Sequence, residues 1–294
     1  MGNLLRAITQ DGAVAVTAID STAIVSEMER IHKTSAVVTA ALGRLLTAAS
    51  MMGAAMKGER DSITLRIKAD GPAGVLVAVG SSDGNVKGYV GNPVVELPLN
   101  SRGKLDVKGA VGTDGLLYVI KDIGLKEPYI GQIPLQSGEI AEDIAAYYAY
   151  SEQIPTVCAL GVLVAPDLSV KTAGGFLLQL LPGADSGIID RIEANMKNLP
   201  PVTTLLEQGL SALDIAKRAL DGFTVEVLDE FDAAYRCDCS RERVQRALCS
   251  LGDADMAEIA EDEQTEILCN FCGKAYHFSK QEIEKLRKPQ AKPE

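Results

Sequence analysis

Cys237-Asp238-Cys239 and, after a spacer of about thirty residues, Cys269-Asn270-Phe271-Cys272 decide how the C-terminal part of this chain is read. Two close thiol pairs, separated by enough chain to form a helix and return, match the needs of Zn²⁺, which takes four thiolates tetrahedrally at about 2.3 Å. The second pair has the common CxxC knuckle spacing. The first is tighter, so with only Asp238 between them both sulfurs must leave an extended or sharply turned backbone. A closed all-thiolate set leaves no position for water or substrate, which predicts an ion that holds structure and excludes direct metal catalysis. The predicted ligands are Cys237, Cys239, Cys269 and Cys272, with one zinc ion as cofactor.

The chain has six cysteines, and five of them fall between Cys237 and Cys272, with Cys158 alone in the first two thirds. A secreted disulfide scaffold spreads its cysteines through a short chain, so this clustering points to a metal. On spacing alone, a zinc ribbon that only stabilises a small domain is the simpler reading. Two features favour a redox switch. Zinc-bound thiolates are deprotonated, and once an oxidant takes one to a sulfenic acid its neighbour can condense with it; each pair holds its own resolving partner. Disulfides within such short loops gain little loop entropy and carry strain, which makes them reversible. The second feature is coupling to folding: structural zinc contributes on the order of 10 kcal/mol to a small domain, so its loss should unfold that domain.

Outward from the cysteines, residues 223–294 read as a zinc-binding unit: a strand over Phe223 to Phe231, a helix over Ser240 to Leu251 behind a Ser N-cap, and an acidic loop at Glu261-Asp262-Glu263. Glu266 to Leu268 and Lys274 to Phe278 flank the second pair as two strands, and a last helix starts at Ser279 with Glu282 as capping-box partner. A unit of this size needs a staple. Residues 183–222 read as an amphipathic helical linker. Ile188, Ile189, Ile192 and Met196 share one face of a helix that Pro200-Pro201 ends, and Ser211 with Asp214 opens a second helix carrying Leu213, Ala216 and Leu220. Such helices need a neighbour to lie on, and loss of the zinc unit should expose Ile188, Ile189, Ile192, Leu205, Leu206 and Leu213.

Residues 1–182 read as a larger α+β unit. Leu4 to Thr9 and Ala13 to Ile19 form a hairpin around Asp11-Gly12, Thr34 to Lys57 a long helix, and Ile63, Leu65 and Ile67 the buried side of an alternating strand. Further strands are expected at Val75 to Val79, Val86 to Val90, Lys104 to Lys108 and Leu116 to Lys121. A helix is expected over Gly138 to Ser151, then a hairpin of Val157 to Val164 and Val170 to Leu181 around Pro166-Asp167-Leu168-Ser169. The fold class is therefore α+β: a mixed sheet and helix N-terminal domain, a helical linker and a small zinc-binding C-terminal domain.

A net charge of -11 repels a phosphate backbone, and with no Trp and five Phe the chain has few stacking platforms, so nucleic acid is not an expected partner. Ala36 to Met56 is apolar enough to test as a membrane span, but Arg44 in its centre favours a buried helix. The N-terminal residues lack a basic region leading into an apolar one, so no secretory signal is expected and the expected compartment is the cytoplasm.

These residues resemble the bacterial redox-regulated 33 kDa heat-shock chaperone family, heat-shock protein 33. The four cysteines match its CxC and CxxC signature position by position. Ala40-Ala41-Leu42-Gly43-Arg44, Gly91-Asn92-Pro93, Gly103-Lys104-Leu105-Asp106-Val107, Gly174-Gly175-Phe176 and Cys239-Ser240-Arg241-Glu242-Arg243 are similar to family segments in the same order. The resemblance implies an ATP-independent holdase and not an enzyme, inactive when reduced and zinc-bound. It implies that oxidation forms the Cys237–Cys239 and Cys269–Cys272 disulfides, releases zinc, and unfolds the C-terminal domain and linker so that hydrophobic surface binds unfolded client proteins. It also implies a homodimer in the oxidised state. Cys249 departs from the pattern and is expected to pack in its helix beside Val244, Leu248 and Leu251.

Cys158 reads as a small core residue, His277 as a neighbour of the thiols and not a fifth ligand, and His32 receives no role. Gly109 to Gly115 reads as turns, because no GK[ST] follows. Two other classes stay open: a constitutive zinc ribbon that binds a protein or nucleic acid, and a thiol-disulfide oxidoreductase using Cys269 and Cys272. Against the latter, the CxxC lies within a zinc signature and not at the strand-to-helix start of a thioredoxin-like unit.

Overall fold

Asp11 and Gly12 reverse the chain between β1 (Gly2–Thr9) and β2 (Val14–Asp20). Gly12 takes φ +70°, a left-handed backbone that suits glycine, and the Asp11 carboxylate accepts the Ala13 N–H at 3.1 Å. The computed structural model describes residues 2–287; the remainder of the expected 223–294 unit lies outside the described residues. Its packing divides the chain into two compact units, Met1–Arg236 and Cys237–Glu294.

In the first unit, α1 (Thr22–His32) leads into α2 (Ala36–Ala54), the long helix expected from the apolar run. Although α2 is long and apolar enough to cross a membrane, it is buried on nearly every side as the central core helix. Two antiparallel sheets meet it. One has the order β5-β4-β3-β6-β7 and contains β3 (Ser62–Ala69), β4 (Leu76–Ser81), β5 (Val86–Val90), β6 (Gly115–Asp122) and β7 (Tyr129–Pro134). Between β5 and β6 the chain forms the short α3 (Val107–Val111). The strand expected at Lys104 to Lys108 is therefore absent, because the Asp106 carboxylate caps this turn by accepting the Gly109 N–H at 3.0 Å. The unanticipated β7 is an edge strand, where Gly131 and Pro134 are tolerated.

After β7 comes α4 (Ala141–Tyr147), extended by one π turn over Tyr148–Glu152. The buried Asp143 carboxylate ties down the preceding loop by accepting the N–H groups of Gln136, Ser137 and Ile140 at 2.7–3.0 Å. That holds Ile140 at φ +75° and carries Glu139 to Arg44, whose Nη1 donates to the Glu139 carboxylate at 2.6 Å. The charge that argued against a membrane span is thus paired at the rim of the core.

The second sheet has the order β10-β1-β2-β9-β8, with β8 (Thr156–Val164), β9 (Val170–Leu180) and β10 (Val225–Ala233). Both of its faces are covered. Leu4, Ile19, Ala173 and Leu177 face α2, whereas Leu5, Val14, Val16, Phe176 and Leu178 face a second core made with α5 (Ser186–Asn198), α6 (Val202–Glu207) and α7 (Ala212–Ala219). A Cβ on Gly161 would lie 2.8 Å from Thr203 Cγ2, and one on Gly174 2.8 Å from Leu206 Cδ1, so the lack of a side chain at these two positions of β8 and β9 seats α6.

The linker expected over 183–222 therefore docks within the first unit. Leu205, Ile215 and Leu220 are buried, and the expected Ser211–Asp214 capping box closes the start of α7. Ile189, expected on the apolar face, is 42% exposed, while Ile192 is buried. The helix α6 was not anticipated, since six residues are too few for a periodic signal.

The strand expected at Phe223 to Phe231 forms as β10, but pairs with β1 rather than joining the cysteines. By packing, the first compact unit runs through Arg236, because the free edge of β1 supplies the hydrogen bonds that this segment needs. Just beyond β10, Ala234 O accepts the Val86 N–H at 3.0 Å and Arg236 N–H donates to Val86 O at 2.9 Å, attaching the same segment to the other sheet. The Tyr235 hydroxyl donates to Gly88 O at 2.7 Å, and His32, given no role from sequence, meets that hydroxyl at 3.1 Å.

The second unit contains α8 (Arg241–Leu248), α9 (Asp253–Ile259), β11 (Gln264–Leu268), β12 (Ala275–Ser279) and α10 (Lys280–Arg287). Its core of Leu248, Met256, Ala260, Tyr276, Phe278 and Ile283 is small. Arg241 lies over the Phe278 ring, 4.2 Å from its centroid, and bonds both His277 O and the Glu282 carboxylate.

The tightest backbone approach in the first unit is at Gly80, where a Cβ would fall 2.0 Å from Ala49 O of α2. Substituting Gly80→Ala should destabilise the first unit by about 1–3 kcal/mol, read as a lower urea midpoint; an unchanged midpoint would refute this packing.

Candidate metal centre

Arg236 ends its pairing with Val86 and Ser240 begins α8, so Cys237, Asp238 and Cys239 occupy the short extended passage between them. Ser240 caps α8 by accepting the Arg243 N–H, and the Arg243 guanidinium returns to pair with Asp238. The residue between the two thiols is thereby anchored to the helix that follows.

The second pair lies on the turn between β11 and β12. Cys269 N–H donates to Lys274 O at 3.0 Å and Gly273 N–H to Cys269 O at 2.8 Å, with Gly273 at φ +71°. This tight reversal places the CxxC on a strand-to-strand turn, not at the start of a helix as a thioredoxin-like site would have it.

All four thiols expected from the spacing converge. Their sulfurs lie within 4.8 Å of one another, with Cys237 Sγ 3.7 Å from Cys269 Sγ and Cys239 Sγ 3.4 Å from Cys272 Sγ. A tetrahedron with metal–sulfur bonds of about 2.3 Å has edges of about 3.8 Å, so the spacing fits one tetrahedral ion. Four half-buried sulfurs with no carboxylate or imidazole among them form a soft donor set.

The groups around the sulfurs favour charge on Cys239. Burial opposes ionisation of Cys239, but hydrogen bonds from the Tyr276 hydroxyl and the other thiols bring its thiol down to about 7. The Tyr276 hydroxyl is 3.1 Å from that sulfur, and this bond pushes the phenol up. Burial pushes the Cys237 and Cys272 thiols up, opposed by the backbone N–H groups of Cys239 and Lys274 respectively. Tyr276 was missed in sequence; its place on β12, facing the core three residues beyond Gly273, is a signal only once the turn is known.

The remaining candidates fall elsewhere. His277 faces away from the thiols, with its ring 3.5 Å from the Glu266 carboxylate across the β11–β12 pair. Cys158 packs against the main core on β8, and burial pushes its thiol up. Cys249 is exposed at the C-cap of α8, contrary to the expected packing, because the helix turns Leu248 inward in its place. Glu261, Asp262 and Glu263 form the exposed loop before β11, and Gly109 to Val111 belong to α3 while the rest of that glycine-rich piece turns into β6.

The profile of the family described as Hsp33 protein matches residues 2–279. A 33 kDa chaperonin of Clostridium beijerinckii is 48% identical over 284 residues, covering 96% of this chain and 97% of that protein. A 33 kDa chaperonin of Clostridium botulinum is 46% identical over 286 residues, covering 97% of each. The crystal structure of the 33 kDa chaperonin (heat shock protein 33 homolog) of Thermotoga maritima superposes with a TM-score of 0.87 at 38% identity, covering 97% of each chain. Taken with the converging thiols and the two-unit fold, this full-length similarity shows that the chain belongs to the Hsp33 family of chaperones.

Proposed function

We propose that this chain is a redox-regulated, ATP-independent holdase of the cytoplasm, held inactive by one zinc ion on Cys237, Cys239, Cys269 and Cys272. The single observation that carries the reading is the meeting of four thiols, from two distant segments, in a unit whose own core is only a handful of side chains. Zinc, when bound, supplies charge balance and four bonds that join the α8 and β12 parts of the small unit. The division into a core (1–182), linker (183–222) and switch unit (223–294) is kept as a functional proposal, with β10 as the strand through which the linker leads to the thiols.

The thiols perform the switch. Hydrogen peroxide accepts attack from one thiolate, forming a sulfenic acid and releasing the other oxygen as hydroxide; the second thiol of the pair then displaces water and closes an S–S bond. Two molecules of peroxide oxidise both pairs. Within the folded site every sulfur is near the other three, so proximity alone selects no partner. Once the unit opens, the short CxC and CxxC loops keep only near neighbours together, which favours Cys237–Cys239 and Cys269–Cys272 over bridges across about thirty residues.

Opening of the small unit deprives the linker of a folded C-terminal continuation beyond β10. The helices α5, α6 and α7 are too short to persist unless docked, and their apolar sides, with the sheet face bearing Leu5, Val16, Phe176 and Leu178, make the surface that would hold unfolded clients. Newly exposed apolar surface of this kind also promotes pairing of two oxidised chains.

Heat-aggregating a test protein with the reduced, zinc-loaded chain and with the peroxide-treated chain tests the proposal. Suppression of light scattering only by the treated chain is expected, with release of one zinc and loss of four thiols per chain; equal suppression by both refutes the switch. The Ser211→Ala chain, which loses the α7 capping box, should have its linker destabilised by about 1 kcal/mol and reach half-maximal activity at a lower peroxide dose; an unshifted dose would exclude the linker as the responding element. The exposed Cys249 stands outside the thiol cluster, so Cys249→Ser should keep both zinc uptake and activation, and loss of either would assign Cys249 to the switch.

A further inference from the structure

Three features of the small unit converge on Tyr276. Its hydroxyl donates to Cys239 Sγ at 3.1 Å; its ring is 6% exposed within the small core, on the strand face it shares with Phe278; and the Lys274 ammonium lies 5.2 Å from the ring centroid, bracing it from outside. The ring is set in register by the cross-strand pairing of Tyr276 with Ile267. A hydroxyl so fixed has no need of a sulfur to hold the ring in place, because packing already does so.

We propose that Tyr276 is a positioning residue of the metal centre: its O–H, donated to Cys239, lowers the reactivity of that sulfur toward electrophiles and tightens the hold of the four thiolates on their ion. This rests on the zinc reading given above. A thiolate that accepts a hydrogen bond shares lone-pair density with the donor, so less is available to attack an electrophile, and the charge of a four-thiolate site is partly dispersed. Groups that orient and hydrogen-bond metal ligands typically govern affinity by about 10- to 100-fold. Backbone N–H groups can provide this bond to a thiolate without any particular side chain; at Cys239 a side-chain hydroxyl provides it, so a single oxygen atom can be deleted to test it.

The full chain, reduced and zinc-loaded, is treated with iodoacetamide, in which each sulfur displaces iodide to form an S–CH₂ bond, and alkylation at every cysteine is followed by peptide fragmentation. In Tyr276→Phe, alkylation of Cys239 should accelerate by about tenfold relative to Cys269, and competition with a chelator should show zinc held about tenfold less tightly. Ile267→Val, which loosens the same core and removes no hydrogen-bonding group, serves as the control, and its four zinc-site cysteines should accelerate together. A Tyr276→Phe chain that behaves like this control, that matches the wild type, or that no longer takes up zinc would overturn the inference. A wild-type chain with no bound zinc would overturn the zinc reading and this inference together, whereas a zinc-loaded wild type with no Cys239-selective effect would overturn this inference alone.

Discussion

The meeting of four sulfurs within 4.8 Å is the constraint on which the second unit depends. Residues 237–287 place six side chains in a shared core, and a domain with so little buried apolar surface needs a further link to fold as one body. The two cysteine pairs come from the approach to α8 and from the β11–β12 turn, so an ion held by all four would join the parts that the core joins only weakly. The Arg241 contacts to Phe278, His277 O and Glu282 run between the same two parts. They are half-exposed polar contacts and contribute far less than coordination does.

The first unit is built the opposite way. Its central helix is enclosed by two sheets, with glycines at Gly53 and Gly80 where strand and helix backbones come close. One sheet is apolar on both faces, and its outer face is closed by three short helices of the linker. The main core and the linker helices thus share a sheet, and the chain passes from those helices to the four thiols through β10. The proposed switch needs this contrast: a scaffold that stays folded and a layer that owes its order to docking.

Much of this was legible in the amino-acid sequence because its signals were local. The CxC and CxxC spacing picked out all four converging thiols, Asp11-Gly12 marked the first hairpin, the Ala- and Gly-rich run marked α2, and Ser211 with Asp214 marked the start of α7. What was not legible depended on pairing at a distance. The strand at Val225–Ala233 reads the same whether it joins the cysteines or the edge of β1, and only the register with β1 decides. The segment around Asp106 alternates like a strand, yet its carboxylate closes a helical turn. Cys249 sits in a half-apolar helix, and a rotation of one residue sends Leu248 inward and the thiol outward. Tyr276 is one of eight tyrosines in sequence; the fold alone brings its hydroxyl to a thiol.

In the proposed switch, one zinc ion keeps residues 237–287 folded while the first unit stands without it. Amide hydrogen exchange of the reduced chain, with metal content measured on the same sample before and after chelation, tests this most directly. The account predicts one zinc per chain, and on its removal a loss of protection across α8, β11, β12 and α10 while α2 and the sheets around it stay protected. A reduced chain without tightly held zinc, or one whose C-terminal amides remain protected after the ion is stripped, would contradict it.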